Sequence, residues 1–591
     1  MTLANINYAW GNLIVEECIR LGVDYFCIAP GSRSTSLTVA IARHKKAKTF
    51  VHFDERALAF HAMGVVSATR KPVALICTSG TAVANFFPAI IEASKKKLPL
   101  IVITADRPPE LRFTGSVQTI DQVGIFGKYV VWQMDMPCPD LAIKPEVVLT
   151  TIDQAVYQAV KRGGVVHLNC MFREPLVPTS TSSNNKQLSS PSAFVGDPVV
   201  EKYLKSVSSW IKSTKPYTEY INSVDNIHID QAKNIAARIN NIKNGLIVVG
   251  KIGNENERKA VIHLARRLGW PIFADIASGL RLGEISEEVI HYYDQLLLTK
   301  MGKALKVDGI IHLGGRITSK RYYEFAQTQL LNEYIMVLNH ALRNDPTHQV
   351  TLRIESTVTN FCDSVGPLVK TRIKGKHYKD LVKANSAIDK HITKFLVQDS
   401  RLSEPLTARL VSQLIPSGTG LFLGNSMPIR DMDMYADFKG PVVLVNGNRG
   451  ASGIDGLIAS AAGYAQGLAK PVTLMIGDVS ALHDLNSLAM LRDINYPLVI
   501  VILNNGGGAI FSFLPIAQHQ DVFEKFFGTP HATTFANAAA MFELNYAQPQ
   551  DAVSFAKIYK QAIQSPTATI IEVINSREEN LKLHQQLQSS L

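Results

Sequence analysis

Residues 471–511 read PVTLMIGDVSALHDLNSLAMLRDINYPLVIVILNNGGGAIF, and this stretch decides the fold. Its two apolar runs, Pro471 to Ile476 and Pro497 to Leu503, are short, rich in Val, Ile and Leu, and do not alternate. That is the pattern of strands buried on both faces of a parallel sheet. Between them, Asp484 to Asp493 carries Leu485, Leu488 and Leu491 at helical spacing, so the unit is predicted as strand–helix–strand. The first strand ends in Gly477-Asp478 and the second in Asn504-Asn505-Gly506-Gly507. In open α/β sheets ligands bind beyond the carboxyl ends of the strands, which is where these polar residues fall. A carboxylate, a carboxamide and a glycine-rich backbone are hard oxygen donors, suited to Mg²⁺ or Ca²⁺ rather than zinc. Because Mg²⁺ is usually completed by phosphate oxygens and water, a metal-bridged diphosphate is the natural occupant. Read alone, Asn504–Gly507 is equally an Asn-Gly turn. The pairing with Gly477-Asp478 one unit upstream favours the ligand.

The same doubly wound α/β pattern extends outward in both directions. The 591 residues allow three or four domains, each with its own core. Residues 1–178 form a first α/β unit, with strands predicted at Tyr25–Ala29, Thr49–Phe53, Val73–Thr78, Leu98–Thr104 and Val165–Asn169. Two of its strand ends, Pro30-Gly31-Ser32-Arg33-Ser34-Thr35 and Thr78-Ser79-Gly80-Thr81, put glycine and hydroxyls before a helix, the make-up of an anion cradle or of a plain helix cap. Residues 179–194 turn to Ser, Thr, Asn and Pro and read as a linker. A second unit, 195–361, has strands predicted at Leu246–Val249, Pro271–Ala274, Gly309–Leu313 and Ile335–Asn339, with a helix at Glu255–Leu268. It lacks GxGxxG with a following acidic partner, so no dinucleotide is expected there. Its Gly314-Gly315-Arg316 loop runs on to Lys320-Arg321, a basic strand end that suits carboxylates or is a solvated turn. Residues from 362 to about 400 read as a charged helical connector.

The third unit, 385–591, holds the opening stretch. Ahead of it lie strands Gly420–Leu423 and Val442–Asn446, which lead into Gly424-Asn425-Ser426-Met427-Pro428-Ile429-Arg430 and into Gly447-Asn448-Arg449-Gly450-Ala451-Ser452-Gly453-Ile454-Asp455-Gly456. The four glycines of the second loop argue for close approach of backbone to a ligand. The tail beyond Arg577 reads as polar, helical and peripheral.

Composition narrows the class. No apolar run reaches membrane-spanning length, and the N-terminus reads as an amphipathic helix, not as a targeting leader. Cys18, Cys27, Cys77, Cys138, Cys170 and Cys362 show no CxxC spacing and are expected as buried thiols of a cytoplasmic protein. The formal charge of +11 comes from scattered Lys and Arg, with no basic run interleaved with aromatics. It fits small anionic substrates better than nucleic acid.

Gly477-Asp478-Val479, then 24 residues, then Asn504-Asn505 resembles the metal–diphosphate signature of thiamine-diphosphate enzymes, with Val479 where that signature usually has Gly. The resemblance implies a Mg²⁺ ion (Mn²⁺ as a substitute) held by the Asp478 and Asn505 side chains and the Gly507 carbonyl, with Val479 and Ser480 at the diphosphate. His52-Phe53-Asp54-Glu55-Arg56 resembles the strand-to-helix junction of the family's pyrimidine domain, which implies that Glu55 hydrogen-bonds the aminopyrimidine ring and activates it. His52 and His483 are then bystanders or proton relays.

The three-unit order resembles the pyruvate-oxidase-like branch. There the coenzyme lies between the first domain of one subunit and the third of another, implying a homodimer or homotetramer. PGSRST at 30–35, TADRPPELR at 104–112, SVQTIDQ at 116–122, GNSMPIR at 424–430, NRGASGIDG at 448–456 and NNGGGAIF at 504–511 resemble the MenD family more narrowly. Those transferases of menaquinone biosynthesis decarboxylate 2-oxoglutarate and add the succinyl unit to isochorismate. The resemblance implies that Ser32, Arg33, Arg107, Gln118, Lys320 and Arg321 face isochorismate, and that Ser426 and Arg430 hold the distal succinyl carboxylate with Arg449 nearby. It also makes Ile454 the wedge that bends the coenzyme, with Ile510, Phe511 and Leu514 on the thiazolium side. Both substrates are dianions, which suits Arg forks. Two alternatives stand beside this: an acetolactate-synthase-like carboligase acting on pyruvate, and a non-catalytic protein of the same fold.

Overall fold

The computed structural model describes residues 3–177, 197–221, 226–283, 285–398 and 401–591. The linker expected at 179–194 lies outside them. Two compact units emerge. The first comprises Met1–Ser223, Asn448–Ala469 and Asp484–Ile494; the second comprises Val224–Gly447, Lys470–His483 and Asn495–Leu591.

The described residues form three six-stranded sheets, and every strand pair is parallel. The first contains β1 (Tyr25–Ile28), β2 (Lys48–Val51), β3 (Val73–Cys77), β4 (Leu100–Asp106), β5 (Val130–Met136) and β6 (Val165–Met171). The second contains β7 (Gly245–Val249), β8 (Ile272–Ala274), β9 (Val289–Ile290), β10 (Gly309–Leu313), β11 (Glu333–Leu338) and β12 (Leu352–Glu355). The third contains β13 (Gly420–Leu423), β14 (Leu444–Gly447), β15 (Val472–Gly477), β16 (Leu498–Asn504), β17 (Asn545–Ala547) and β18 (Thr569–Ile574).

Strand order repeats between the outer two. The first sheet runs β2-β1-β3-β4-β6-β5 and the third β14-β13-β15-β16-β18-β17, the same path through six strands. The middle sheet runs β12-β11-β10-β7-β8-β9, the doubly wound order in which successive strands leave the centre in opposite directions. Crossing helices bury both faces, which is why the strands read as unbroken apolar runs. In the middle sheet Ile247, Val249 and Ile311 pack into one core, while their neighbours Leu246, Val248 and Ile310 pack into another across the sheet.

Strand order also fixes where a ligand can sit. The path reverses between β1 and β3 in the first sheet and between β13 and β15 in the third, opening a crevice beyond each pair. Four of the loops singled out in the sequence follow these strands.

Within the first unit, the helices Glu55–Thr69 and Leu457–Leu468 touch backbone to backbone. A Cβ on Gly64 would fall 2.2 Å from the Ser460 carbonyl oxygen, and one on Gly463 would fall 2.0 Å from that of His61. Only glycine permits the approach.

Two readings are corrected. The helix expected at Asp484 to Asp493 is instead a short α-helix, Asp478–His483, that starts at the strand end, followed by a 3₁₀ stretch over Leu485–Arg492. A whole turn of helix is already spent before the leucines begin, and the tighter winding keeps Leu488 and Leu491 buried. The tail is not peripheral, since its helix Arg577–Ser589 buries Asn580, Leu583, His584 and Leu587. All six cysteines are buried and free, and among the described residues no helix is long and apolar enough to cross a membrane.

A buried acid pair makes the first unit sensitive to pH. Glu17 accepts from the Trp210 indole at 2.6 Å, and Asp153 accepts from the Thr218 amide at 2.8 Å. Burial, reinforced by Asp153, lifts Glu17 from 4.5 to about 8, and burial raises Asp153 as well. The folded chain therefore keeps a proton that the unfolded chain has released. The associated stability is complete below the ordinary carboxyl range and is lost as pH climbs through about 8. The urea midpoint should fall between about pH 5 and 8, and Glu17→Gln should flatten that fall. Parallel pH profiles for the two proteins would refute the assignment.

Candidate active site

The crevice of the first sheet is a cavity of about 400 Å³. The loop after β1 contributes Gly31 and Ser32, and the loop after β3 contributes Thr78 through Thr81. Glu55, the first residue of its helix, and Gln118 complete the wall. Glu55 sits there because Asp54 caps the helix, accepting from the Ala57 amide at 3.0 Å and leaving the next carboxylate free to face the cavity. Asn85 Nδ2 lies 3.5 Å from Glu55 Oε2. Gln118 holds a left-handed backbone (φ 54°), a conformation that costs energy outside glycine and collects at ligand sites. Its neighbour Gln122 is buried and pins the cradle, accepting from the Gly80 amide at 2.8 Å.

The two predicted arginines of this unit are buried and already engaged. Arg33 donates to the Phe172 carbonyl at 2.9 Å and to Glu174 at 3.0 Å, while its Nε is buried without a partner. Arg107 donates to the Ser79 hydroxyl. Burial, then the nearby Arg33, lowers the Arg107 pKa, so the two guanidiniums form a dense positive spot behind the β3 loop. His52 is buried and unpartnered at Nε2, and burial lowers its pKa.

Residues 448–456 carry Arg449 and Ile454 and also belong to the first unit. Ile454 is 37% exposed. The sequence signalled a backbone prepared for a ligand here, and the structure supplies an internal guest. The buried Glu92 carboxylate accepts from the amides of Gly450 at 2.7 Å, Ala451 at 2.6 Å and Ser452 at 3.1 Å. Asp484 does the same for the following helix, accepting from Ile458 and Ala459 at 2.8 and 3.2 Å, with Arg56 3.8 Å away. Burial raises Asp484 to about 6.

In the second unit, the crevice between β13 and β15 holds Ser426 and Asp478. Ser426 has φ 72° and heads the helix Met427–Tyr435; Arg430, one turn on, donates to its carbonyl. Asp478 Oδ2 accepts from three successive amides, Asn505, Gly506 and Gly507, at 3.1, 2.8 and 3.0 Å. Its Oδ1 accepts only from Val479, at 2.7 Å, and keeps a lone pair in reserve. Burial raises the Asp478 pKa, opposed by those amides and by His531, whose Nε2 lies 3.3 Å from Oδ2. Asn505 donates through Nδ2 to Glu404 Oε1 at 2.9 Å, whereas its Oδ1 is buried with no donor. Ser480 is buried in the helix that Asp478 starts, and Gly507 lies in the loop with its carbonyl accepting from the Ala509 amide at 3.0 Å. Ile510 and Phe511 lie in the 3₁₀ turn Ala509–Phe513, and Leu514 follows it, half-exposed.

The donor set fits a hard cation. An orphaned carboxamide oxygen stands beside a carboxylate oxygen with spare capacity, and an unsatisfied buried acceptor is costly unless a ligand completes it. Among the described residues no cluster of three His, Cys, Asp or Glu could hold a metal. Lys320 is 87% exposed and 3.3 Å from Glu324, while Arg321 is bound to Asp294 and donates to Gln588 at 3.0 Å. The sequence reading missed Glu92, Glu404 and Asp484. Each is an isolated acid next to apolar residues, and no spacing marks the distant backbone it grips.

Comparison with known proteins places the fold in a family. Residues 9–125 match the family described as thiamine pyrophosphate enzyme, N-terminal TPP binding domain. Residues 201–423 match its middle domain and 431–573 its C-terminal TPP binding domain. A 4-hydroxybenzoylformate decarboxylase of Rhodococcus jostii, itself thiamine diphosphate-dependent, superposes with a TM-score of 0.69 over 98% of this chain and 99% of its own, at 15% identity. That likeness concerns the fold. The chain is thus a thiamine-diphosphate enzyme by its domains and by its three parallel sheets.

Sequence relatives narrow the class. The chain is 42% identical to the 2-succinyl-5-enolpyruvyl-6-hydroxy-3-cyclohexene-1-carboxylate synthase of Rubrobacter xylanophilus, over 98% of each. It is 40% identical to the synthase of that name from Salinibacter ruber, over 99% of this chain and 97% of the other. The chain belongs to this synthase family, MenD.

Glu92→Ala would strand three amides, each costing about 1–3 kcal/mol if it stays dry. Hydrogen exchange across 448–456 should accelerate in that variant while β13–β16 stay protected. Unchanged exchange in the loop would show that Glu92 does not hold it.

Proposed function

We infer that this chain is the thiamine-diphosphate-dependent synthase that decarboxylates 2-oxoglutarate and adds the succinyl unit to isochorismate, releasing CO₂, in menaquinone biosynthesis. One observation carries the coenzyme half of this reading: the buried Asn505 oxygen without a donor, beside Asp478, at the crevice that strand order opens. Asp478 and Asn505 side chains and the Gly507 carbonyl would hold Mg²⁺, or Mn²⁺ in its place, with Val479 and Ser480 against the diphosphate. The coenzyme supplies an electron sink for loss of CO₂ from a 2-oxo acid. Everything else is left to positioning and charge.

Glu55 would hold the proton that the aminopyrimidine nitrogen needs, from a helix start that a cap keeps in place. Ser32 and Gln118 share its cavity and would face isochorismate, with Arg33 and Arg107 as fixed cations behind them. Lys320 and Arg321 would likewise bind isochorismate, Arg321 being oriented by Asp294. Ser426 and Arg430 would grip the distal carboxylate of the donor, and Arg449 would be a further cation for that substrate. Ile454 would bend the coenzyme, and Ile510, Phe511 and Leu514 would cover its thiazolium side. Functionally the chain divides into 1–178 for the pyrimidine ring, 195–361 in the middle and 385–591 for the diphosphate, and it works as a homodimer or homotetramer. An acetolactate-synthase-like reading would leave these cations without purpose, because pyruvate has no second carboxylate.

Incubation with thiamine diphosphate, Mg²⁺, 2-oxoglutarate and isochorismate should yield the adduct mass with loss of CO₂, and pyruvate should not replace the donor. Preferential use of pyruvate would overturn the assignment. Glu55→Gln should lower turnover by about 10²–10⁴-fold and leave coenzyme affinity within a few-fold. Turnover at the parent rate in that variant would remove Glu55 from the activating role.

A further inference from the structure

Asn505 can meet a cation only if its amide points the right way. The two ends of a carboxamide are nearly the same in size and opposite in character, so a free side chain would present nitrogen as readily as oxygen. Here Nδ2 lies 2.9 Å from Glu404 Oε1, and Oδ1 is left buried without a donor. Flipping the amide would set its oxygen against a carboxyl oxygen and turn N–H groups towards the place of the cation. N–H groups facing a cation are repelled, so the cation favours the amide as it stands.

Glu404 is placed for this task by its own helix. It is the first residue of Glu404–Leu414, whose cap Ser403 accepts from the Leu406 amide at 3.3 Å. Pro405 follows it at a position where a missing N–H costs nothing. The side chain is 1% exposed, so no water competes for Oε1. Helix start and loop are about a hundred residues apart in sequence, and this bond is their polar link.

We propose that Glu404 is a positioning residue, an acceptor that locks the Asn505 carboxamide with its oxygen towards the divalent cation. This rests on the reading of Asp478 and Asn505 as the cation's ligands. Partners of this kind, one bond behind the metal, typically change affinity by about 10- to 100-fold when removed.

The test titrates Mn²⁺ into the full-length chain with thiamine diphosphate, following the free ion by EPR against a protein-free blank. Glu404→Leu, which removes the acceptor, should weaken Mn²⁺ binding by about 10- to 100-fold, whereas Glu404→Gln, which keeps an acceptor oxygen, should stay within about threefold. Binding by Glu404→Leu at parent affinity overturns the proposal, and so does a Glu404→Gln variant as weak as Glu404→Leu. Thermal melts in EDTA report whether each variant folds. Should Glu404→Leu not fold, the exchanged pair Glu404→Gln/Asn505→Asp decides. There the new amide donates to the new carboxylate and still leaves one oxygen for the cation. Recovery of the affinity lost in Asn505→Asp supports the role, and no recovery overturns it. Asp478→Ala is the control: parent affinity in that variant would sink the metal site itself, an outcome separate from the fate of Glu404.

Discussion

The third sheet depends on one carboxylate received by three consecutive backbone N–H groups. Asp478 closes β15, and the amides of Asn505, Gly506 and Gly507 open the loop after β16. The strands are neighbours in register from Val472–Leu498 to Gly477–Leu503. Parallel strands fix their ends side by side but do not order what lies beyond them. The nest of N–H groups does, because each donor would otherwise be buried and unpaired. With Oδ2 consumed by the loop, Oδ1 and the Asn505 oxygen are the atoms left with capacity to spare. Structure and ligand affinity thus draw on the two halves of one side chain.

Beneath the loop the same economy recurs. Asn504 donates to buried Glu572 at 2.6 Å, and Glu572 also accepts from the Phe535 amide at 3.0 Å and the Tyr546 hydroxyl at 2.7 Å. Glu572 sits on β18, the neighbour of β16. The first asparagine of the pair is therefore a structural tether and the second faces the crevice. Adjacent residues at a strand end point to opposite sides, so a single pair can serve both purposes.

Much of the fold could be read in advance because central parallel strands are unbroken apolar runs. The predicted bounds of β1, β3, β7, β10 and β13 fall within a residue or so of those observed. Edge strands were legible only in part: β2 and β14 were anticipated, whereas β5, β12 and β17 are only partly buried, and their mixed composition resembles loop. The central β18 (TIIEVI) was passed over as well, though its buried Glu572 only partly disguises an apolar run. At the candidate site, the chain-local features were visible: Gly-Asp, Asn-Asn-Gly-Gly and the acidic helix start at Glu55. What sequence could not show is which distant acid answers which backbone. Glu92 and the amides of Gly450–Ser452 are more than 350 residues apart. The tail helix shows the same blindness: His584 lies 3.2 Å from buried Asp431, a contact nothing in a polar C-terminal sequence announces.

A glycine-rich loop is therefore ambiguous evidence for a ligand. Glycines let backbone N–H groups converge, and convergent N–H groups demand an anion, but that anion can belong to the protein itself. At 450–452 the demand is met by Glu92, and at 505–507 by Asp478. The two loops differ in what remains once the internal carboxylate is bound. Both Glu92 oxygens are taken up by the amides, which leaves that loop a rigid mount for Arg449 and Ile454. Beside Asp478 stands the Asn505 carboxamide, whose oxygen has no donor. A buried acceptor left over after the backbone is satisfied separates a loop that carries side chains to a ligand from one that binds the ligand itself.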